Sequence, residues 1–234
     1  MLILFDIDGT LLSSDGAARR AFHRALLEVY GTAGPIATHA FDGKTDPQIA
    51  RELLRAAGLA DAAIERGFPA LWQAYLRELA DELAQPGHRT TVHPGVEPLL
   101  DALDELGDRV IVGLLTGNIE QGAELKLSSA GLAGRFRLGA YGSDHEERSA
   151  LPPIAVARAR ELTGREIVGR EIVIIGDTPH DVTCGRALGV RALGVATGRF
   201  DTATLAAAGA DAVFPDLSDT AAALAWILDP DAGR

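Results

Sequence analysis

The chain has a single cysteine, Cys184, and of its 22 basic side chains only Lys44 and Lys126 are lysines. One cysteine excludes an internal disulfide and a cysteine cage for zinc, and fits a reducing compartment. No apolar run nears the roughly 20 residues of a membrane span, and the amino terminus reads as a core strand, not a basic, cleavable signal. No membrane partner and a cytoplasmic location are therefore expected. The formal net charge is −11, and no Lys/Arg stripe could follow a phosphate backbone, so nucleic acid is excluded as a partner. An acidic chain can still handle a small anion if a metal ion and a few local donors supply the positive charge. The preponderance of arginine fits a high-GC coding bias, and it makes the two lysines worth tracing.

What is present is organised around the first dozen residues. Leu2-Ile3-Leu4-Phe5 is a buried strand that runs into Asp6-Ile7-Asp8-Gly9-Thr10. Asp-x-Asp-Gly on its own is an ordinary polar turn. In an open α/β sheet, however, ligands bind at the carboxyl ends of strands, where these two carboxylates stand. Gly9 permits a turn that swings Asp8 toward the same substrate as Asp6. From 13 to 88 the pattern is helical, with segments within 13–30 (Ala18 to Val29 at helical spacing), at 46–58 (opened by Asp46 as an acidic cap before Pro47) and at about 61–83, and no strand. From residue 92 helices alternate with apolar strands at 110–115, 136–141, 172–175, 190–196 and 212–214. That alternation predicts an α/β fold, a doubly wound parallel sheet formed by 1–12 and 92–234, with an α-helical domain, 13–91, inserted after the first strand. At 234 residues the chain is long enough for both.

If the sheet is parallel, the strand ends share one edge. They bring together Asp6 and Asp8, then Thr116-Gly117-Asn118, then Asp177-Thr178-Pro179-His180-Asp181. Such a set suits magnesium-assisted phosphoryl transfer. Mg²⁺ takes one or two carboxylates, here Asp6 and Asp177, with water and phosphate oxygens. Asp6 can accept a phosphoryl group covalently, and Asp8 can protonate the leaving alcohol and then activate water. Thr116 and the Gly117 and Asn118 amides at a helix start form a phosphate cradle.

With these three motifs in order, the chain resembles the haloacid dehalogenase superfamily, and within it the phosphatases similar to phosphoglycolate phosphatase. The resemblance implies Asp6 as nucleophile, Asp8 as general acid/base and Thr116 as phosphate ligand. It also implies Mg²⁺ held by Asp6, the Asp8 carbonyl and Asp177 with Asp181 in support, a small phosphate ester as substrate, and a helical insert that serves as a cap. A carboxylate at Asp8 argues for phosphate esters over the family's dehalogenases. The family's third motif, a lysine before proline, is missing, and Arg148 stands in its place. Lys126 is preferred as the phosphate cation, because its side chain leans back along its helix toward the phosphate end. Arg148 is expected to bond Asp177 or the Asp144-His145-Glu146 run.

By the same resemblance Gly43-Lys44-Thr45-Asp46 is the cap loop that faces substrate, with Lys44 on the leaving group. His180 is the histidine nearest the site, Cys184 packs in the core, and Phe68, Trp72 and Tyr75 pack the inserted helices, with one of them at the substrate mouth. Two rivals remain, a phosphosugar mutase of the same fold and a non-catalytic protein that binds a metabolite or partner. Oligomeric state is not legible.

Overall fold

A computed structural model describes residues 1–232. Eight strands follow in chain order: β1 (Leu2–Phe5), β2 (Leu12–Ser13), β3 (Thr91–Val92), β4 (Ile111–Leu115), β5 (Leu138–Ala140), β6 (Ile172–Gly176), β7 (Arg191–Val195) and β8 (Ala212–Phe214). The α-helices are α1 (Ala17–Tyr30), α2 (Asp46–Ala56), α3 (Asp61–Leu83), α4 (Val96–Asp104), α5 (Glu120–Ser129), α6 (Leu151–Thr163), α7 (Pro179–Cys184), α8 (Thr202–Ala207) and α9 (Thr220–Leu228).

Six strands form one parallel sheet in the order β5-β4-β1-β6-β7-β8. β1, β4 and β6 are buried along their whole length, as strands covered on both faces must be. Their alternating side chains divide between two cores. Ile3, Phe5, Val112, Leu114, Val173 and Ile175 pack with α4 and α9, whereas Leu2, Leu4, Ile111, Leu115, Ile172 and Ile174 pack with α6. The doubly wound sheet expected from the sequence is thus present. β1 lies at the centre, flanked by β4 and β6 in matched register, so the residues following these three strands emerge side by side.

The helices α1, α2 and α3 bury a cluster of their own, including Phe22, Leu26, Ile49, Leu53, Leu71, Tyr75 and Leu79, which also receives Ile119 from the sheet layer. The chain leaves the sheet layer along β2 and returns along β3, and these pair antiparallel, Leu12 with Val92 and Ser13 with Thr91. The hydropathy pattern missed this ribbon, since two residues carry no period. Pairing also trims two expected elements. β5 is confined to 138–140, and the helix after Thr178 ends at Cys184, followed by a 3₁₀ turn, Arg186–Leu188. Cys184 is partly buried against the α6 core. Among the described residues no helix is long and apolar enough to cross a membrane.

Candidate active site

The strand ends open on a cavity of about 280 Å³ between the sheet and the helices α1–α3. Asp6 still belongs to the sheet, its N–H donating to the Ile175 carbonyl at 2.9 Å. Gly9 then turns the chain with φ +84°, and a Cβ there would meet the Asp177 carboxylate at 2.4 Å, so only glycine lets the loop lie against that acid. The Thr116 N–H donates to the Ala140 carbonyl at 3.0 Å, which seats the start of the loop before α5. After β6, Thr178 and Asp181 form a reciprocal cap on α7: the Asp181 carboxylate accepts from the Thr178 N–H at 3.0 Å and hydroxyl at 2.6 Å.

Two cations stand among the acids. Lys126, buried on α5, donates to Asp8 Oδ2 and to Asn118 Oδ1, each at 2.6 Å. Asn118 Nδ2 in turn donates to Asp8 Oδ2 and to the Thr116 hydroxyl, both at 2.8 Å. Arg148, equally buried, pairs with Asp6 Oδ1 at 3.0 Å and bonds Asp181 Oδ1. That differs from the expected partners. Asp177 bonds the Thr10 hydroxyl, Asp144 pairs with Arg158 and Glu146 with Arg51, which leaves the guanidinium to Asp6 and Asp181.

Asp6, Asp177 and Asp181 each present a carboxylate oxygen within 4.8 Å of the others, and all three are buried. Burial, then the charges of Asp181 and Asp6, pushes Asp177 well above the usual carboxylate range. Asp6 is pushed upward as well, by burial against the pull of Arg148. Three desolvated carboxylates with a single guanidinium, which contacts only Asp6 and Asp181, hold surplus negative charge, and hard oxygen donors so arranged fit a divalent cation such as Mg²⁺. The Asp8 carboxylate is not part of the cluster; it turns to Lys126.

A sequence profile described as haloacid dehalogenase-like hydrolase matches residues 3–186. The chain belongs to that family. Among relatives of this hydrolase, a phosphoglycolate phosphatase of Chromobacterium violaceum is 30% identical over 88% of this chain and 89% of that protein. A protein of Mycobacterium tuberculosis named tyrosine-protein kinase PtkA is 30% identical over 81% of this chain but 60% of its own length. A haloacid dehalogenase-like hydrolase structure from Bacteroides fragilis superposes with a TM-score of 0.70 over 94% of this chain and 98% of that one, at 22% identity, a likeness of fold.

In this hydrolase Asp6, Asp8, Thr116, Gly117, Asn118, Lys126, Arg148, Asp177 and Lys44 all line the cavity, while Asp181 lies just behind it. Lys44 reaches the wall, yet its Nζ bonds Glu52 at 2.5 Å. His180 lines a neighbouring groove instead, because its ring packs against the loop at Gly43. Asp46 is not the cap of α2. Thr45 fills that position, accepting from the Gln48 N–H at 3.2 Å, and Asp46 reaches across to accept the Ile119 N–H of the sheet layer at 2.9 Å. Asp46 lines the cavity, as its place in the loop expected to face substrate implied, but its bond to Ile119 was not foreseen, because Asp-Pro at a helix start reads as a local signal. Tyr75 lines the cavity as well, and its place at helical spacing gave no sign of which neighbour it would meet.

Proposed function

We propose that this chain is a Mg²⁺-dependent phosphatase that hydrolyses small phosphomonoesters through a phosphoryl group carried on Asp6. The observation that supports it most is the meeting of three strand ends in one small cavity, with buried Asp6 beside the Asp177–Asp181 pair and with Asp8 held by Lys126. An Asp6 oxygen attacks phosphorus and the bond to the leaving oxygen breaks, with Asp8 giving that oxygen its proton. Water then attacks the phosphoryl-aspartate, yields a proton to Asp8, and frees Asp6 and inorganic phosphate. The Lys126 ammonium and the Thr116–Asn118 segment hold the phosphoryl oxygens, while Arg148 keeps Asp6 oriented. Mg²⁺, held by Asp6, Asp177, Asp181 and the Asp8 carbonyl, would offset charge on the transferring group. The helices α1–α3 serve as the cap, spanning 13–91 beside a core of 1–12 and 92–234.

Cavity size supports a small ester. Its 280 Å³ lies at the low edge of the roughly 300–1,000 Å³ of drug-sized ligand sites. The test is phosphate release from a panel of phosphomonoesters with Mg²⁺ and with chelator. Release that requires metal and is lost in Asp6→Asn, with the fold retained, is expected. Isomer formation without phosphate release would favour the mutase, and metal-independent or absent turnover would sink the reading.

A further inference from the structure

Besides Asp6, Asp8, Thr116 and Lys126, the cavity is lined by Phe22, Phe41 and Ile49, with two further polar side chains, Asp46 and Tyr75, within electrostatic reach of Asp8. Tyr75 is 1% exposed. Its ring sits edge-on to Phe22, with centroids 5.1 Å apart, and lies over Gly122 of α5, where a Cβ would already touch it at 3.5 Å. Two layers therefore hold the ring from opposite sides. Tyr75 lines the cavity, and its hydroxyl forms no hydrogen bond with any described residue.

Asp46, 8% exposed, commits Oδ2 to the Ile119 N–H, and its Oδ1 accepts from no described residue. The pair thus offers the cavity one donor and one acceptor that the protein leaves open. A ligand hydroxyl, which both donates and accepts, satisfies both groups. A ligand carboxylate only accepts, and it would face Asp46 with like charge.

Lys126, which acts on Asp46, is held by Asp8 and Asn118, and two other cations that line the cavity, Lys44 and Arg19, are engaged as well. Lys44 is held by Glu52. The Arg19 guanidinium donates to the Ile36 carbonyl at 2.6 Å and the His39 carbonyl at 3.0 Å, and it stacks over Phe41 at 3.9 Å.

We propose that Asp46 and the Tyr75 hydroxyl are specificity determinants that read a hydroxyl group on the leaving alcohol, so that the preferred substrates are phosphates of small polyols or sugars and not carboxylate-bearing esters such as 2-phosphoglycolate. This rests on the phosphatase reading. The assay compares kcat/KM with Mg²⁺ for glycerol 3-phosphate, ethyl phosphate and 2-phosphoglycolate in the full chain, in Tyr75→Phe and in Asp46→Asn. The wild-type chain should favour glycerol 3-phosphate over each of the others by at least about tenfold, since a site built to hydrogen-bond a hydroxyl discriminates against analogues without one. Tyr75→Phe should lower the glycerol-to-ethyl ratio about tenfold, and Asp46→Asn should shift the glycerol-to-glycolate ratio toward the carboxylate. A purely structural role would lower all three substrates together and leave the ratios unchanged, which would overturn the proposal. So would a wild-type preference for 2-phosphoglycolate, which would assign recognition of the leaving group to Arg19 and Lys44. If no ester, p-nitrophenyl phosphate included, releases phosphate, the phosphatase reading fails and the proposal with it.

Discussion

Lys126 and Arg148 divide the positive charge of the site, and their surroundings differ enough to separate their roles. Lys126 meets Asp8, whose side chain is 44% exposed to the cavity, while Arg148 bridges Asp6 and Asp181, which are 8% and 1% exposed. Removing Lys126 takes a cation from the cavity but leaves an acid that water can reach. Removing Arg148 strands two buried carboxylates, a defect that typically costs about 3–5 kcal/mol. Lys126→Ala should therefore lower kcat/KM by about 10²–10³-fold with urea unfolding little changed, whereas Arg148→Ala should shift the urea midpoint strongly in metal-free protein. Equal unfolding midpoints for the two variants would show this division to be wrong. The special place of Lys126 was legible in the sequence from its rarity and its distance along the helix from Thr116. The partners of Arg148 were not, because the choice among Asp6, Asp144, Asp177 and Asp181 depends on which acids other groups take up first.

Among the elements, the loop before α2 is the one whose position depends most on close packing. The Asp46 N–H donates to the Gly117 carbonyl at 2.7 Å and the Thr45 hydroxyl to the Glu146 carbonyl at 2.6 Å. A Cβ on Gly117 would lie 2.0 Å from the Lys44 carbonyl, a backbone atom with little freedom to yield. Gly117→Ala should push this loop off the sheet layer and cut kcat/KM by more than about tenfold, since small misplacements of positioning groups are costly. Circular dichroism should stay native, and proteolysis within 38–46 should quicken; unaltered turnover would mean that this contact does not hold the loop. Sequence periodicity located α2 and its neighbours closely, because an apolar stripe at 3.6-residue spacing is a property of the segment itself. It was silent on Arg191, fully buried at the start of β7, which donates to the carbonyls of Trp226, Ile227 and Asp229 at the end of α9. A cation so placed satisfies orphan carbonyls and the negative end of the helix, and it depends on a partner 35 or more residues away.

For the molecule as a whole, the surplus of buried carboxylate links stability to pH and metal. Asp177 has its folded pKa raised above the unfolded value, so the metal-free native state binds that proton more tightly than the unfolded chain does. Stability from this group is present at low pH and is lost as pH rises from about 4 toward the raised value, with a limiting slope of about 1.4 kcal/mol per unit. The metal-free protein should accordingly melt lower at pH 8 than at pH 6, and the stabilisation by Mg²⁺ should grow over the same interval, because metal binding competes with the proton. Scanning calorimetry with and without Mg²⁺ checks this, with Asp177→Asn expected to flatten both trends; a Mg²⁺ effect that shrinks with rising pH would contradict it. The sequence by itself determined the parallel sheet, the three strand ends and the acids on them, because strand burial and side-chain alternation are local regularities and parallel strands must share one edge. Only the tertiary structure decided the pairing of Arg148 with Asp6, the turning of Lys44 to Glu52, and the placing of Asp46 and Tyr75 in the wall of one cavity. These outcomes are selected by packing and by competition for partners, which no local pattern records.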